Sequence, residues 1–401
     1  MKTRRRAQRK RTHQEAPEAT AEWAEEDGFD GGVVSAVLIL GSLGVVMIFS
    51  ITAPLQDHGV LPPHFLKQAS ALLTGAALAF GAAAIPLRVW HRIAAPFWAV
   101  SVLLLIATFA FGVEANGAKR WLGLPGLGAV FQPAEATKLA CVLVVAAVLS
   151  HRDGRAEVSR RRMFLALFLA LVPAGLLVLQ PDLGNAVLTV GLVGLMLFVA
   201  GAPLRVLVAP AIVGFIAVGA YVVANPYALH RVEGFLNPWA TAHQQGYQLV
   251  QSFVAFGRGG IFGVGWGAGL QKLHYLPEAH TDFILAVIAE ELGLVGVLVV
   301  LGAFAALLVA GIRIALRARQ RFAMLTAFGM TALLVVPAVV NGAVVMGLVP
   351  TKGLTLPFLS YGRSSAVMSC IAVGLLLRLG REEAKAEART VGVASPRGLL
   401  A

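Results

Sequence analysis

Charge is scarce in this chain: Asp, Glu, Lys and Arg make up 13% of its 401 residues. A soluble domain carries roughly 25%, so the deficit excludes an ordinary water-soluble fold. Cysteine is nearly missing too. Cys141 and Cys370 both lie in apolar runs without CxxC or metal-ligand spacing, which excludes a disulfide framework or zinc site and leaves them as small buried hydrophobes. No GxxxxGK[ST] loop is present, so a nucleotide site has no support. The N-terminus, MKTRRRAQRKR, lacks an apolar h-region and runs into a polar, acidic stretch over 15–30. It reads as a cytoplasmic tail, not a cleaved signal.

What remains is hydrophobic. The chain is 58% apolar with mean hydropathy +0.77, and runs of about 18 residues or more recur, each long enough to cross a bilayer as a helix. A barrel would show short alternating segments instead. The fold expected is therefore all-α and polytopic, with ten transmembrane helices over 32–53, 65–85, 91–112, 134–150, 163–179, 183–200, 204–224, 283–310, 322–348 and 359–379. A tail over 1–31 precedes this 32–379 membrane domain, another over 380–401 follows it, and a long segment over 225–282 interrupts it.

The cations set the orientation. Seven Lys/Arg lie in the N-terminal tail, five in the 151–162 loop and four in the 311–321 loop, and Arg381, Lys385 and Arg389 follow the last span. Positive loops stay inside, so both termini are expected in the cytoplasm and the 225–282 segment outside it. The formal charge of +12 is thus explained by an anionic leaflet and does not call for nucleic acid.

Every chemically notable cluster then falls on the outer side. NGAKRWLGLPGLGAVFQPAEATKLA offers Lys119 and Arg120 beside Trp121, then Glu135 and Lys138 at i, i+3 spacing. This fits either interfacial anchoring with a helix-end ion pair or a surface for an anionic headgroup. LQPDLGNA places Asp182 at the start of a span, as a helix cap or as a rim acid facing a polar cavity.

The long segment is too apolar and aromatic for a floppy linker, and it should fold over the mouth of the bundle. Its seven glycines between Phe256 and Gly269 allow close backbone approach to a ligand, with Arg231, Arg258 and Lys272 available for a diphosphate. It ends in HYLPEAHTDF, where Asp282 opens the eighth span beside His280 and two turns above Glu290 and Glu291. An acid in such partly desolvated surroundings suits a general base; a simple helix cap is the plainer account. The last outer loop, PTKGLTLPFLSYGRSS, brings Ser360 and Arg363 to membrane depth, where irregular backbone must be buried in protein or line a wet cavity.

Taken together, NGAKRWL, FQPAEATK, QPDLGNA, EAHTDFILAVIAEELG and PTKGLTLPFLSYG resemble the SEDS family of shape, elongation, division and sporulation proteins, over roughly 32–379. TKGLTLPFLSYG is closer to the FtsW division branch than to RodA. The resemblance implies ten helices with a large extracytoplasmic loop before the eighth, in the bacterial inner membrane. It implies a catalytic acid at Asp282, with Lys119, Arg120, Glu135, Lys138, Asp182 and Ser360 in the family's other site motifs. Trp121, His280 and Arg363 join them as candidate substrate contacts. One departure stands out: the family pattern continues SYGGSS, whereas Arg363 here replaces the second glycine.

The activity implied is peptidoglycan glycosyl transfer, polymerising lipid II into β-1,4-linked strands with release of polyprenyl diphosphate. No organic cofactor is expected; a divalent cation, Mg2+ or Mn2+, is an expected aid at the diphosphate. A class B penicillin-binding protein and divisome components are the expected partners, because this chain has no SxxK and KTG domain for crosslinking. A lipid-precursor flippase and a noncatalytic scaffold are the competing readings. A flippase needs polar access through both leaflets, whereas these motifs gather at one.

Overall fold

The computed structural model describes residues 30–55, 61–115, 118–124, 128–150, 158–351 and 353–393. Nearly all of the N-terminal tail, much of the 151–162 loop, Lys352 and the last residues of the C-terminal tail lie outside these.

The chain folds as helices α1 (Gly31–Thr52), α2 (Pro63–Ala84) and α3 (Leu87–Phe111), then strands β1 (Gly112–Ala115), β2 (Ala118–Leu124) and β3 (Gly128–Phe131). Helices α4 (Pro133–Ser150), α5 (Arg160–Leu179), α6 (Leu183–Val199) and α7 (Leu204–Ala224) follow. The long segment contributes α8 (Pro226–Leu236), α9 (Tyr247–Gly259) and a single π-helical turn, Gln271–Tyr275. The bundle closes with α10 (Ile284–Arg317), α11 (Arg321–Val345) and α12 (Arg363–Val393).

Among the described residues nine helices are long and apolar enough to cross a membrane, and α6, at 17 residues, is a shorter tenth. Each of the ten expected spans meets one of them. Two run on past their expected ends at 310 and 379, because good helix formers such as Arg, Glu and Ala continue a helix beyond the hydrocarbon.

The expected loop before α4 is instead a small antiparallel sheet, β1-β2-β3. Val113 faces Trp121, and Glu114 faces Lys119 across β1 and β2. An opposite-charge pair is a favourable cross-strand neighbour.

Helix α4 is buried along nearly its whole length, at the centre of the bundle. Around it lie α3, α5, α6 and α11. Helix α7 buries none of its residues and packs at the periphery on α6 and α8.

The decisive local feature lies within α10. Gly293, with φ of 67° and ψ of −163°, splits it into a short buried segment and a longer span. Only glycine adopts such a conformation readily, and a side chain would also collide with the amide nitrogen of Gly263. A break inside a membrane bundle strands backbone polar groups, which must find partners in the protein. The glycine-rich loop supplies them. Val264 and Gly265 donate to the carbonyls of Glu290 and Glu291, at 2.9 and 3.1 Å, and Leu294 and Val295 donate to those of Gly260 and Ile261, at 2.9 and 3.2 Å. The glycines expected to let backbone approach a ligand thus bring it onto the protein's own helix.

Two buried carboxylates lock this contact. Glu290 accepts from Arg258 Nη1 at 2.7 Å and from the amides of Leu270 and Gln271 at 3.1 and 3.0 Å. Glu291 accepts from Lys272 Nζ at 2.7 Å, from the Gly267 amide at 3.0 Å, and from the Ser50 hydroxyl. Arg258 and Lys272, expected as diphosphate ligands, are corrected here. Both hold the loop to α10 through ion pairs, Lys272 buried and Arg258 partly exposed, since a carboxylate buried in apolar surroundings demands its own counterion.

Removing one member of such a pair leaves a bare buried charge and costs about 3–5 kcal/mol. Glu291→Ala is therefore expected to loosen the 260–275 loop, seen as faster proteolysis of the membrane-embedded protein there. Adding Lys272→Met should restore most of the resistance. Equal cleavage of parent and single variant would show that another contact holds the loop.

Candidate active site at the head of the eighth span

The segment that carries Asp282 is held from three directions. The Tyr361 amide donates to the carbonyl of His280 at 2.8 Å, and the Ser360 hydroxyl donates to that of Thr281. Asn341 Nδ2, from α11, donates to the carbonyl of Asp282 at 2.7 Å and to that of Leu354 at 2.9 Å. Three successive carbonyls are thus fixed by the last loop and α11. On the near side, Glu278 takes up a left-handed φ of 55°. Its carbonyl accepts from the Thr281 amide at 3.1 Å and its carboxylate from the Thr281 hydroxyl at 3.0 Å.

Asp282 does not cap α10. The helix starts at Ile284 and its N-cap, Phe283, makes no side-chain cap bond. The carboxylate instead faces the 353–357 loop, close enough that a side chain at Gly353 would stand 3.2 Å from Oδ2. Burial pushes the Asp282 carboxyl up to about 7, and the negative charge of Glu278 adds to the rise, while Arg231 and a hydrogen bond with Thr281 oppose it. A carboxyl poised there exchanges a proton readily near neutrality. It keeps partial solvent access.

On the other side of the same loop lies a polar cavity of about 40 Å³, lined by Gln132, Glu135, Lys138, Asn185, Gly353 and Ser365 among others. That is room for a few waters. Lys138 and Glu135 form a buried ion pair at 2.7 Å on its wall. Asn185 Oδ1 is buried and has no hydrogen-bond partner among the described residues.

The remaining expected residues divide by how their polar atoms are used. Asp182 is the N-cap of α6, its two oxygens accepting from the Asn185 amide at 3.2 Å and from Asn185 Nδ2 at 2.8 Å. It shapes the cavity by aiming Asn185. Arg120 donates to the carbonyls of Gln180 and Pro181, at 3.0 and 2.7 Å, and so ties the sheet to the turn before α6. Ser360 is buried; besides its bond to Thr281 it accepts from the Leu356 amide at 2.8 Å, so it acts by holding backbone. Lys119 is exposed on β2, while Trp121 is half-buried beside it.

His280 packs against His64 and Tyr361, with ring centroids 5.6 Å from each, and the latter two rings lie 5.1 Å apart. Burial holds the His280 imidazole below its usual range, Glu278 opposing and His64 adding to the effect. Arg363 begins α12, two residues from Tyr361, whose phenol its charge pulls down against the rise caused by burial.

Sequence reasoning missed Gln68, which accepts from the Gly362 amide at 3.2 Å and donates to the Ser360 carbonyl at 3.1 Å. It also missed Asn341 and Glu278. A lone buried amide in an apolar helix was the available signal for Gln68 and Asn341; nothing in spacing points Glu278 at Asp282.

Among the described residues no three His, Cys, Asp or Glu side chains converge on a point, and Glu135 is already paired with Lys138.

A membrane bundle whose mouth holds a backbone-pinned carboxyl, raised by burial, beside a small polar cavity marks a candidate acid–base site in a membrane-embedded protein. Known proteins resemble this chain over most of its length. The family described as cell cycle protein, of FtsW, RodA and SpoVE type, matches residues 32–385. The probable peptidoglycan glycosyltransferase FtsW of Legionella pneumophila is 40% identical over 361 residues, covering 88% of this chain and 91% of that protein. The solved structure described as "Structural coordination of polymerization and crosslinking by a peptidoglycan synthase complex" superposes with a TM-score of 0.74 at 32% identity, over 89% of this chain and 98% of that one. The rod shape determining protein RodA of Thermus thermophilus gives 0.66 at 30% identity, with the same coverage. The chain belongs to the FtsW, RodA and SpoVE family.

The raised Asp282 pKa has a sign that can be checked on the folded protein alone. The folded state binds this proton more tightly than the unfolded chain, so stability falls as pH rises from about 4 towards 7 and is level above. Asp282→Asn removes that dependence. Its unfolding midpoint should match the parent's at pH 4 and exceed it at pH 8, by at most about 4 kcal/mol at roughly 1.4 kcal/mol per pH unit. A pH-independent difference would mean that Asp282 ionises with an ordinary pKa.

Proposed function

We propose that this protein is a peptidoglycan glycosyltransferase that polymerises lipid II into β-1,4-linked strands, releases polyprenyl diphosphate and serves septal wall synthesis. The observation that carries the proposal is the Asp282 carboxyl, raised to about 7 and held by backbone clamps at the mouth of the bundle. The FtsW name of the relatives and the TKGLTLPFLSYG turn support the septal assignment.

In this mechanism Asp282 accepts the proton of the acceptor's GlcNAc 4-hydroxyl as that oxygen attacks C1 of the donor's terminal MurNAc. The C1–O bond to the diphosphate breaks, and its electron pair leaves with the phosphate. The base must be ionised at the start and near the acceptor's pKa range in the transition state, which a carboxyl tuned to neutrality serves better than an ordinary aspartate. The low-dielectric mouth strengthens nearby cations against the departing charge.

Arg231, whose charge acts on Asp282, and Arg363, whose charge acts on Tyr361, are the cations we assign to that charge, together with exposed Lys119. Trp121 and the ring cluster of His64, His280 and Tyr361 suit the faces of sugar rings. A divalent ion, where the reaction uses one, fits best as a companion of the substrate diphosphate, with Asp282 and Glu278 the carboxylates at hand.

Positive-inside loops support cytoplasmic termini and an extracytoplasmic active site in the bacterial inner membrane. The resemblance to a synthase complex of polymerisation and crosslinking supports a class B penicillin-binding protein as partner, with divisome components around it. A flippase would need a polar route from end to end. The middle of α4, from Leu139 to Ala146, is buried and wholly uncharged, which disfavours one.

Purified protein with its transpeptidase and lipid II should form glycan strands, and Asp282→Asn should reduce the rate by about 10²–10⁴-fold. The parent's rate should rise with pH along a limb centred near 7, and Glu278→Gln should move that limb to lower pH by removing a negative neighbour. Parent-like strand formation by a folded Asp282→Asn protein would remove the base from the mechanism.

A further inference from the structure

A second cavity, of about 820 Å³, opens at the end of the bundle opposite Asp282. It is lined by Leu87, Arg88, His91 and Arg92 of α3, Ser150 of α4, and the 318–324 stretch that joins α10 to α11. The separation follows from α11 itself: Arg321 lies at its start and Asn341, bonded to Asp282, near its end. At 1.5 Å per residue that is about 30 Å, the thickness of the hydrocarbon layer.

Among the described lining residues the charged side chains are all arginines. Arg88 and Arg92 stand one turn apart on the same face of α3, with Arg319 and Arg321 on the facing wall, and no carboxylate is among the described lining residues. Like charges at i, i+4 destabilise a helix, and Arg88 and Arg92 form no ion pair with a described residue. His91 stacks edge-on against Phe322 at 4.8 Å, which packs α3 against the start of α11 and holds the two arginine-bearing walls in place. Arg321 is likewise fixed, by a 2.7 Å bond to the Ala200 carbonyl. Guanidinium groups so placed match the oxygens of a phosphate. The walls between them, Leu87, Ala318, Phe322 and Met324, are apolar.

We infer that this cavity binds a phosphate-bearing anion, held by Arg88 and Arg92 against Arg319 and Arg321, at the membrane face away from the catalytic mouth. Its chemistry is shared by an anionic phospholipid headgroup, whose tails the apolar walls would meet, and by a soluble diphosphate. The inference does not rest on the glycosyltransferase reading.

The test uses the full chain in neutral detergent, titrated separately with phosphatidylglycerol, phosphatidylcholine and inorganic pyrophosphate. Bound lipid is read by native mass spectrometry and affinity by the shift in unfolding midpoint. Arg88→Gln/Arg92→Gln is compared with Arg160→Gln/Arg161→Gln, which removes equal charge from the start of α5. Saturable phosphatidylglycerol binding, weakened at least tenfold by the first variant and not by the second, supports the site and assigns it to lipid. The same pattern with pyrophosphate supports it and assigns it to a soluble phosphate. Saturable binding of neither, equal binding by parent and cavity variant, or equal losses in both variants would overturn it, the last because it reports surface charge alone.

Discussion

The carbonyl oxygens of His280, Thr281 and Asp282 all point at donors from the loop and helix that close the bundle, and the site depends on those three bonds. They turn the end of a long connection into a rigid shelf. A carboxylate on a free loop would be solvated and ordinary; on this shelf it is surrounded by protein and kept from its usual hydration. Ser360, Gln68 and Asn341 therefore matter through backbone they hold, and Gly353 through the space that it leaves beside Oδ2. Such positioning residues set geometry to within fractions of an ångström, which is where much of catalytic power lies.

Further along the same segment, at Gly293, the same physics is used differently. Breaking α10 at Gly293 exposes helix-end groups inside a bundle, and the glycine-rich loop satisfies them with its own amides and carbonyls. Glu290 and Glu291 add ion pairs with Arg258 and Lys272. These carboxylates have cationic partners and amide donors, so their part is to hold structure. Asp282 has the opposite environment, with Glu278 beside it and Arg231 as a weaker offset. Acids of one segment thus acquire separate roles through their neighbours.

The two ends of the bundle differ in kind. At the Asp282 end, anions and cations interleave around a wet pocket; at the other, arginines crowd a wide cavity, and between them α4 passes through as uncharged core. Arg363 belongs to the first end, where it adds a cation at the first position of α12 that partly offsets the rise burial imposes on the Tyr361 phenol.

The spans were legible because a bilayer demands about 20 apolar residues per helix, a requirement written in composition. Asp282 was legible as an acid at a span boundary under a long loop. The roles of its neighbours were not, because the bonds of Ser360, Gln68 and Asn341 join positions far apart in the chain. Arg258 and Lys272 looked like phosphate ligands because sequence shows a cation without its partner, and Glu290 and Glu291 lay beyond the loop that carries them. The small sheet before α4 is not legible in the sequence, since its strands are short and paired only in space. By itself, then, the sequence determined the membrane bundle, its ten spans and the one acid to watch, all of which follow from local hydrophobicity and its interruptions. Which acids are neutralised and which is left with a raised pKa was decided only by tertiary structure, because an ionisation energy depends on what lies within a few ångströms and not on what lies nearby in the chain.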